Sequence, residues 1–138
     1  MRNVVITGGS RGIGKACAKA FCENGDRVFI IYEKNETAAK QGAESCGAIP
    51  FKLDISSKNA VDKLASEIHE RFGKVDVVIN NAGVSQIKLF SDVTEEDLSR
   101  MFGVNMYGAF YVSQAFLPDM INKKAGKIIN VSSMWGEV

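Results

Sequence analysis

The stretch Thr7-Gly8-Gly9-Ser10-Arg11-Gly12-Ile13-Gly14, TGGSRGIG, places four glycines in eight residues near the start of the chain. Glycine inside a helix or strand costs roughly 0.5–1 kcal/mol relative to alanine, so such a cluster marks backbone that must turn tightly or approach another group closely. On its N-terminal side, Asn3-Val4-Val5-Ile6-Thr7 is a short apolar run of strand length. On its C-terminal side, Ile13, Cys17, Ala18 and Phe21 recur at helical spacing until Asn24-Gly25 stops them. The unit is strand, glycine turn, helix.

The same alternation continues outward. Arg27 to Tyr32 (RVFIIY) reads as a second buried strand and Glu36 to Cys46 as an alanine-rich helix. Ala48 to Asp54 reads as a third strand, and Pro50 near its start is tolerated only at a sheet edge. Ser57 to Phe72 carries Val61, Leu64, Ala65, Ile68 and Phe72 on one face and charges on the other, the pattern of a helix covering a sheet. Lys74 to Asn80 is strand four. Thr94-Glu95-Glu96-Asp97 is a capping box opening a long helix that runs to about Lys123, and Lys127 to Val131 is strand five. Strands separated by helices pair in parallel through right-handed crossovers, so the expected fold is a single α/β domain over residues 1–138, a doubly wound parallel sheet.

Seventeen basic against sixteen acidic residues give a formal charge of +1, which lacks the field expected of a nucleic-acid or polybasic membrane binder. No apolar run approaches the roughly 18–20 residues of a membrane helix, and Met1-Arg2-Asn3 leads directly into the first strand without a signal-peptide core. A cytoplasmic protein with a small-molecule partner is expected. Cys17, Cys22 and Cys46 lack metal-ligand spacing and read as reduced core or surface thiols; no metal site is expected. His69, the single histidine, reads as a solvated or partly packed helical residue. Phe102, Tyr107, Phe110 and Tyr111 have no interleaved basic residues and read as core or as an oligomer interface.

Because the first helix begins near Gly12, backbone N–H groups and a helix dipole converge on the glycine loop, and an anion belongs there. Gly8, Gly12 and Gly14 are spaced G-x-x-x-G-x-G, which meets the general dinucleotide pattern G-x-G-x-x-G only in part and leaves an ordinary glycine-rich turn open. Further residues follow in order at the ends of successive strands. They are Asp54-Ile55, Asn80-Asn81-Ala82-Gly83 and Asn130-Val131-Ser132-Ser133, with Asn105 in the long helix. Together they resemble the short-chain dehydrogenase/reductase family over the whole chain.

That resemblance implies a Rossmann-like sheet in strand order 3-2-1-4-5, without the family's last strands, and a nicotinamide dinucleotide lying across the strand ends. Ser10, Arg11 and Ile13 would line its phosphate and ribose, while Gly8, Gly12 and Gly14 allow close approach. Asp54 would accept a hydrogen bond from the adenine amino group, Ile55 would pack near the ring, and Asn81, Ala82 and Gly83 would meet the adenosine ribose through their backbone. Strand two ends in Tyr32 where an acidic residue would favour NAD. Glu33 argues for NAD, but Arg11 and Lys34 favour the 2′-phosphate, so NADP(H) is expected over NAD(H).

The family's chemistry is hydride transfer to a carbonyl. Ser133 matches the serine that hydrogen-bonds the substrate carbonyl and Asn105 the asparagine that supports a proton relay. The family's Tyr-x-x-x-Lys pair has no counterpart in these residues, since Tyr32, Tyr107 and Tyr111 have no lysine four positions later. The 138 residues are therefore expected to be the cofactor-binding part of a reductase, inactive alone and with strand five as an open edge. The alternative is a truncated nucleotide-binding or self-associating module. TGGSRGIG with NVSSMWG looks similar to bacterial 3-oxoacyl-acyl-carrier-protein reductases, which implies a 3-oxoacyl thioester as substrate and a dimer or tetramer. Met134 and Trp135 would line the substrate pocket, and Ser85 to Phe90 reads as a connecting loop.

Overall fold

A strand buried along its whole length needs cover on both faces, and β1 (Asn3–Thr7) is such a strand. The computed structural model, which describes residues 1–133, places β1 at the centre of a five-stranded parallel sheet in the order β3-β2-β1-β4-β5. Its neighbours are β2 (Arg27–Tyr32) and β4 (Val77–Asn80), with β3 (Ile49–Lys52) and β5 (Lys127–Asn130) at the edges. This is the expected Rossmann-like architecture, and Pro50 lies on an edge strand as its missing N–H requires.

The period-2 alternation of each strand divides the core in two. Val4, Ile6, Val28, Ile30 and Tyr32 face α1 (Gly12–Glu23) and α2 (Glu36–Cys46), which contribute Ala18, Ala39 and Ala43. Val5, Phe29, Ile31 and Val78 face the opposite layer, built by α3 (Lys58–Phe72) through Val61, Leu64 and Ile68 and by α5 (Ala109–Lys123) through Val112 and Phe116. Small residues on α1 and α2 let that layer sit close, while the larger side chains of α3 and α5 fill the other side.

Three elements are shorter or less regular than the sequence pattern implies. β3 ends at Lys52 because Asp54 folds back on its own loop, its Oδ1 accepting from Ser56 N at 2.9 Å and Ser56 Oγ at 2.7 Å. β4 starts at Val77 because Val75 N is taken by Asp119 Oδ2 at 2.9 Å, outside the ladder. The long helix is not continuous: α4 (Glu95–Phe102), opened by the expected box of Thr94 and Asp97, passes through a π-helical turn over Gly103–Gly108 into α5. The turn wraps the β3–α3 loop, since a Cβ on Gly108 would lie 2.6 Å from Ile55 Cδ1.

His69 is partly packed, its Nε2 2.8 Å from the buried carboxylate of Asp119 and its ring edge-on to Phe116. Of the four aromatics expected as core or interface, Tyr111 packs against the core. Phe102, Tyr107 and Phe110 are about half exposed and are not core. Met134 and Trp135 lie outside the described residues.

Candidate functional site

A cavity of about 510 Å³ opens at the carboxyl end of the sheet, and its walls come from the segments that follow β1, β2, β3 and β4. Crossovers run from β1 toward β2 on one side and return to β4 on the other, so the loops after β1 and β4 diverge and leave a crevice between them. Of the expected site residues, Gly8, Ser10, Arg11, Gly12, Ile13, Asp54, Ile55, Asn81, Ala82 and Gly83 all line it.

The glycine loop is shaped by its neighbours. Gly8 has φ +68°, and a Cβ there would lie 2.9 Å from Ala82 Cα, so any other residue is both strained and obstructed. Gly14 is set behind the lining, in the first turn of α1, where a Cβ would meet Gly8 O at 2.4 Å and Asn81 Nδ2 at 2.5 Å. The loop is anchored to β2 by Gly8 N donating to Ile31 O at 2.8 Å.

Helix caps mark where the cavity is prepared for a ligand. The N-termini of α2, α3 and α4 are each closed by a side chain, Asn35, Ser57 and Thr94, that accepts a first-turn N–H. The N-terminus of α1 is not: Arg11 at its N-cap makes no side-chain cap, and the first turn holds no acidic residue. The N–H groups of Gly12 and Ile13 thus lie at the cavity wall without a protein acceptor among the described residues, under the positive end of the helix dipole. Arg11, Lys34 and Arg100 add positive charge to the lining against Glu33 and Asp54, with Lys34 Nζ 3.9 Å from Glu33 Oε1.

The loop after β4 is held by side chains. Thr7 Oγ1, almost fully buried, accepts from Asn81 N and Ala82 N at 3.0 Å each. Asn81 Nδ2 donates to Thr7 O and Gly8 O at 3.1 Å each. The N–H groups of Asn81 and Ala82 are therefore engaged, and it is their carbonyl oxygens that a ligand would meet. Asp54 uses Oδ1 for its own loop and keeps Oδ2 without a protein partner among the described residues. Ile55 is mostly buried against the π turn, with an edge of the residue on the cavity.

Neither expected catalytic residue is part of the lining, although Asn105 backs it at Gly83 and Val84. Asn105, in the π turn, clamps Val84 with both ends of its amide, Oδ1 accepting from Val84 N and Nδ2 donating to Val84 O at 2.8 Å each. Ser133 is exposed three residues past β5, on the same edge of the sheet but outside the lining. Arg100 and Val104, one helical turn apart, form a wall that the sequence reading missed. Their spacing on one helix face was a signal, but nothing in the sequence told which face would meet the cavity.

A parallel doubly wound sheet with a glycine loop leading into an uncapped helix at its switch point defines a Rossmann-like α/β domain. The chain belongs to the short chain dehydrogenase family, whose model matches residues 2–138. It is 39% identical over 137 residues to oxidoreductase BOA17 of Botryotinia fuckeliana, covering 96% of this chain and 49% of that protein. It is 32% identical over 136 residues to the 3-oxoacyl-[acyl-carrier-protein] reductase FabG of Thermotoga maritima, covering 96% and 55%. Among solved structures, a short-chain dehydrogenase from Streptomyces avermitilis superposes with a TM-score of 0.91 at 31% identity, over 99% of this chain and 51% of the other. An alcohol dehydrogenase from Thermococcus sibiricus, complexed with 5-hydroxy-NADP, gives 0.85 at 32% identity, over 96% and 58%. The chain spans about half the length of the relatives it matches. No helix among the described residues is long and apolar enough to cross a membrane.

Proposed function

We propose that these residues form the cofactor-binding part of an NADP(H)-dependent carbonyl reductase. The observation that carries the reading is the uncapped N-terminus of α1, the one α-helix that opens on the glycine loop, with three cationic side chains in the same lining. Backbone donors at Gly12 and Ile13 would hold the pyrophosphate, with Gly8 and Gly14 keeping the loop free of side chains that would fill the space. Asp54 Oδ2 is the open acceptor for an adenine amino group, and Ile55 and Val104 supply apolar wall beside it. Arg11 and Lys34 are the groups for a ribose 2′-phosphate, Glu33 being drawn toward Lys34. The bound nicotinamide supplies the hydride.

Asn105 and Ser133 act on the substrate side in this reading. Ser133 orients a carbonyl oxygen, and Asn105 positions the loop at Val84 that borders the crevice. The proposed substrate is a 3-oxoacyl thioester carried on an acyl carrier, in keeping with the similarity to a protein named for that reaction. Other relatives carry other names, and a different small ketone is the outcome a substrate panel would expose. The half-exposed face of Phe102, Tyr107 and Phe110 is the proposed contact for a second copy.

Titration of the chain with NADPH and with NADH, followed by intrinsic fluorescence, tests the cofactor reading. NADPH is expected to bind more tightly. Tighter NADH refutes the 2′-phosphate assignment to Arg11 and Lys34, and no binding of either refutes the dinucleotide reading altogether.

A further inference from the structure

We propose that Cys22 and Cys46 form a redox-active dithiol that closes to a disulfide tying α1 to α2. Both helices lie in one layer and end at the same side of the sheet, and the two cysteines occupy their last turns. A contact between the helices fixes which faces meet: a Cβ on Gly42 of α2 would lie 3.7 Å from Lys15 Cε of α1. Cys46 follows Gly42 by four residues and Cys22 follows Lys15 by seven, one and two helical turns along those facing stripes.

The ends of both helices hold these positions. Gly47 N and Ala48 N both donate to Ala43 O beyond Cys46, and Gly25 N donates to Cys22 O. Cys46 Sγ lies 3.4 Å from Gly42 O, which directs the thiol back along the stripe facing α1. Both sulfurs pack against the apolar cluster of this layer yet are only partly buried, so a small oxidant reaches them. Cys17, five residues before Cys22, is turned about 140° away around the helix axis and is left out of the pair.

The two thiols have distinct roles. Burial and the adjacent Cys46 push the Cys22 thiol up to about 12, which suits Cys22 to the second, resolving step. With hydrogen peroxide as oxidant, the Cys46 thiolate attacks one peroxide oxygen and the O–O bond breaks. The products are Cys46 sulfenic acid and hydroxide, which takes up the proton that Cys46 released to become water. Cys22 sulfur then attacks the sulfenic sulfur, the S–O bond breaks, and the departing hydroxide carries off the Cys22 thiol proton as a second water. Two thiols and one peroxide give one disulfide and two waters.

The bridge lies some ten residues of α1, about 15 Å, from Gly12, so the inference does not rest on the nucleotide reading. Its effect is on stability. Cross-linking positions 22 and 46 removes loop entropy from the unfolded chain and is expected to raise Tm by roughly 10 °C.

Digestion with trypsin decides the matter, because the three cysteines fall on separate peptides, residues 16–19, 20–27 and 41–52. The reduced chain is exposed to one to a few equivalents of hydrogen peroxide, and the intact mass and peptides are measured. The expected result is a loss of two mass units, a linked 20–27/41–52 pair, an unlinked 16–19 peptide, and a Tm rise that dithiothreitol reverses. Cys46→Ser is expected to abolish both the mass loss and the Tm rise. Survival of three free thiols, a link to Cys17, or a disulfide between two chains overturns the proposal. The mapping on unsubstituted protein gives the answer even if the serine variant does not fold.

Discussion

Replacing Gly14 by alanine inserts a single methyl group where the structure leaves no room for one. The new Cβ would lie 2.4 Å from Gly8 O, about 1 Å inside ordinary contact, and 2.5 Å from Asn81 Nδ2. Neither obstacle is a flexible side-chain end. Gly8 O belongs to the backbone of the glycine loop, and Asn81 Nδ2 holds two hydrogen bonds, to Thr7 O and Gly8 O. Overpacking of this kind costs about 1–3 kcal/mol, and loss of the Asn81 bonds adds about 1–2. The helix propensity gained from Gly→Ala returns only about 1 kcal/mol. The net expectation is a destabilisation of about 2–3 kcal/mol and at least a tenfold loss of NADPH affinity, as α1 and the loop are forced apart. Gly42→Ala is the matched control: Gly42 lies in the interior of α2, and its Cβ would be in ordinary contact with Lys15 at 3.7 Å. It is expected to stabilise by about 0.5–1 kcal/mol with NADPH binding unchanged. Urea denaturation and NADPH titration of the two variants beside the parent check both numbers. If Gly14→Ala is as stable as Gly42→Ala and binds NADPH like the parent, the packing argument for the glycine loop is wrong.

Thr7→Val keeps the shape of the side chain and removes the acceptor for Asn81 N and Ala82 N, so a loss of about 2–4 kcal/mol is expected in urea denaturation, with Thr7→Ser largely spared. Arg2, through its guanidinium and its backbone N–H, and Asn24 hold the Asp26 carboxyl well below the usual carboxylate range. A depressed folded value means that this stabilisation is present above the unfolded value of about 4 and is lost as pH falls through the folded one. Asp26→Asn should therefore be less stable than the parent at pH 7 in urea titrations, with the difference shrinking below about pH 4. Arg100→Ala removes from the cavity wall a cation without an ion-pair partner among the described residues, and is expected to weaken NADPH and NADH alike in fluorescence titration, without a change in Tm.

The parallel α/β class and its helices were legible because buried parallel strands read as apolar runs and their covering helices as stripes, whereas the strand order came only from the family resemblance. Val4 and Ile6 against Val5, or Val28 and Ile30 against Phe29 and Ile31, divide between two cores by alternation alone. Pro50 marked its edge and Thr94 its helix start for local reasons. What the sequence pattern did not show depends on contacts between distant segments. The π turn exists where Gly108 meets Ile55, 53 positions earlier, and nothing near Gly103 signals the change of period. That turn also carries Asn105, which clamps Val84. The hydroxyl of Thr7 was hidden for the same reason, since its partners lie 74 and 75 residues away.

The site divides its residues by what they hold. Thr7, Asn81 and Asn105 use their side-chain polar atoms on the protein itself, closing the loop after β4 onto β1 and onto the π turn. Among the described residues the groups left open are different ones: the N–H groups of Gly12 and Ile13 at the start of α1, one oxygen of Asp54, and the side chains of Arg11 and Arg100. Substitution in the first set should therefore register in stability and binding together, because the wall moves. Substitution of Arg11 or Arg100 in the second should register in binding alone, whereas Asp54 also holds its own loop through Oδ1 and should register in both. A ligand that met mainly side chains would change with each of them, whereas one held by backbone donors at a rigid loop would keep its place whichever side chains, such as Arg11 and Lys34, stand at the lip. The same architecture can in this way retain one binding mode and vary its cofactor choice through exposed residues at the lip of the glycine loop.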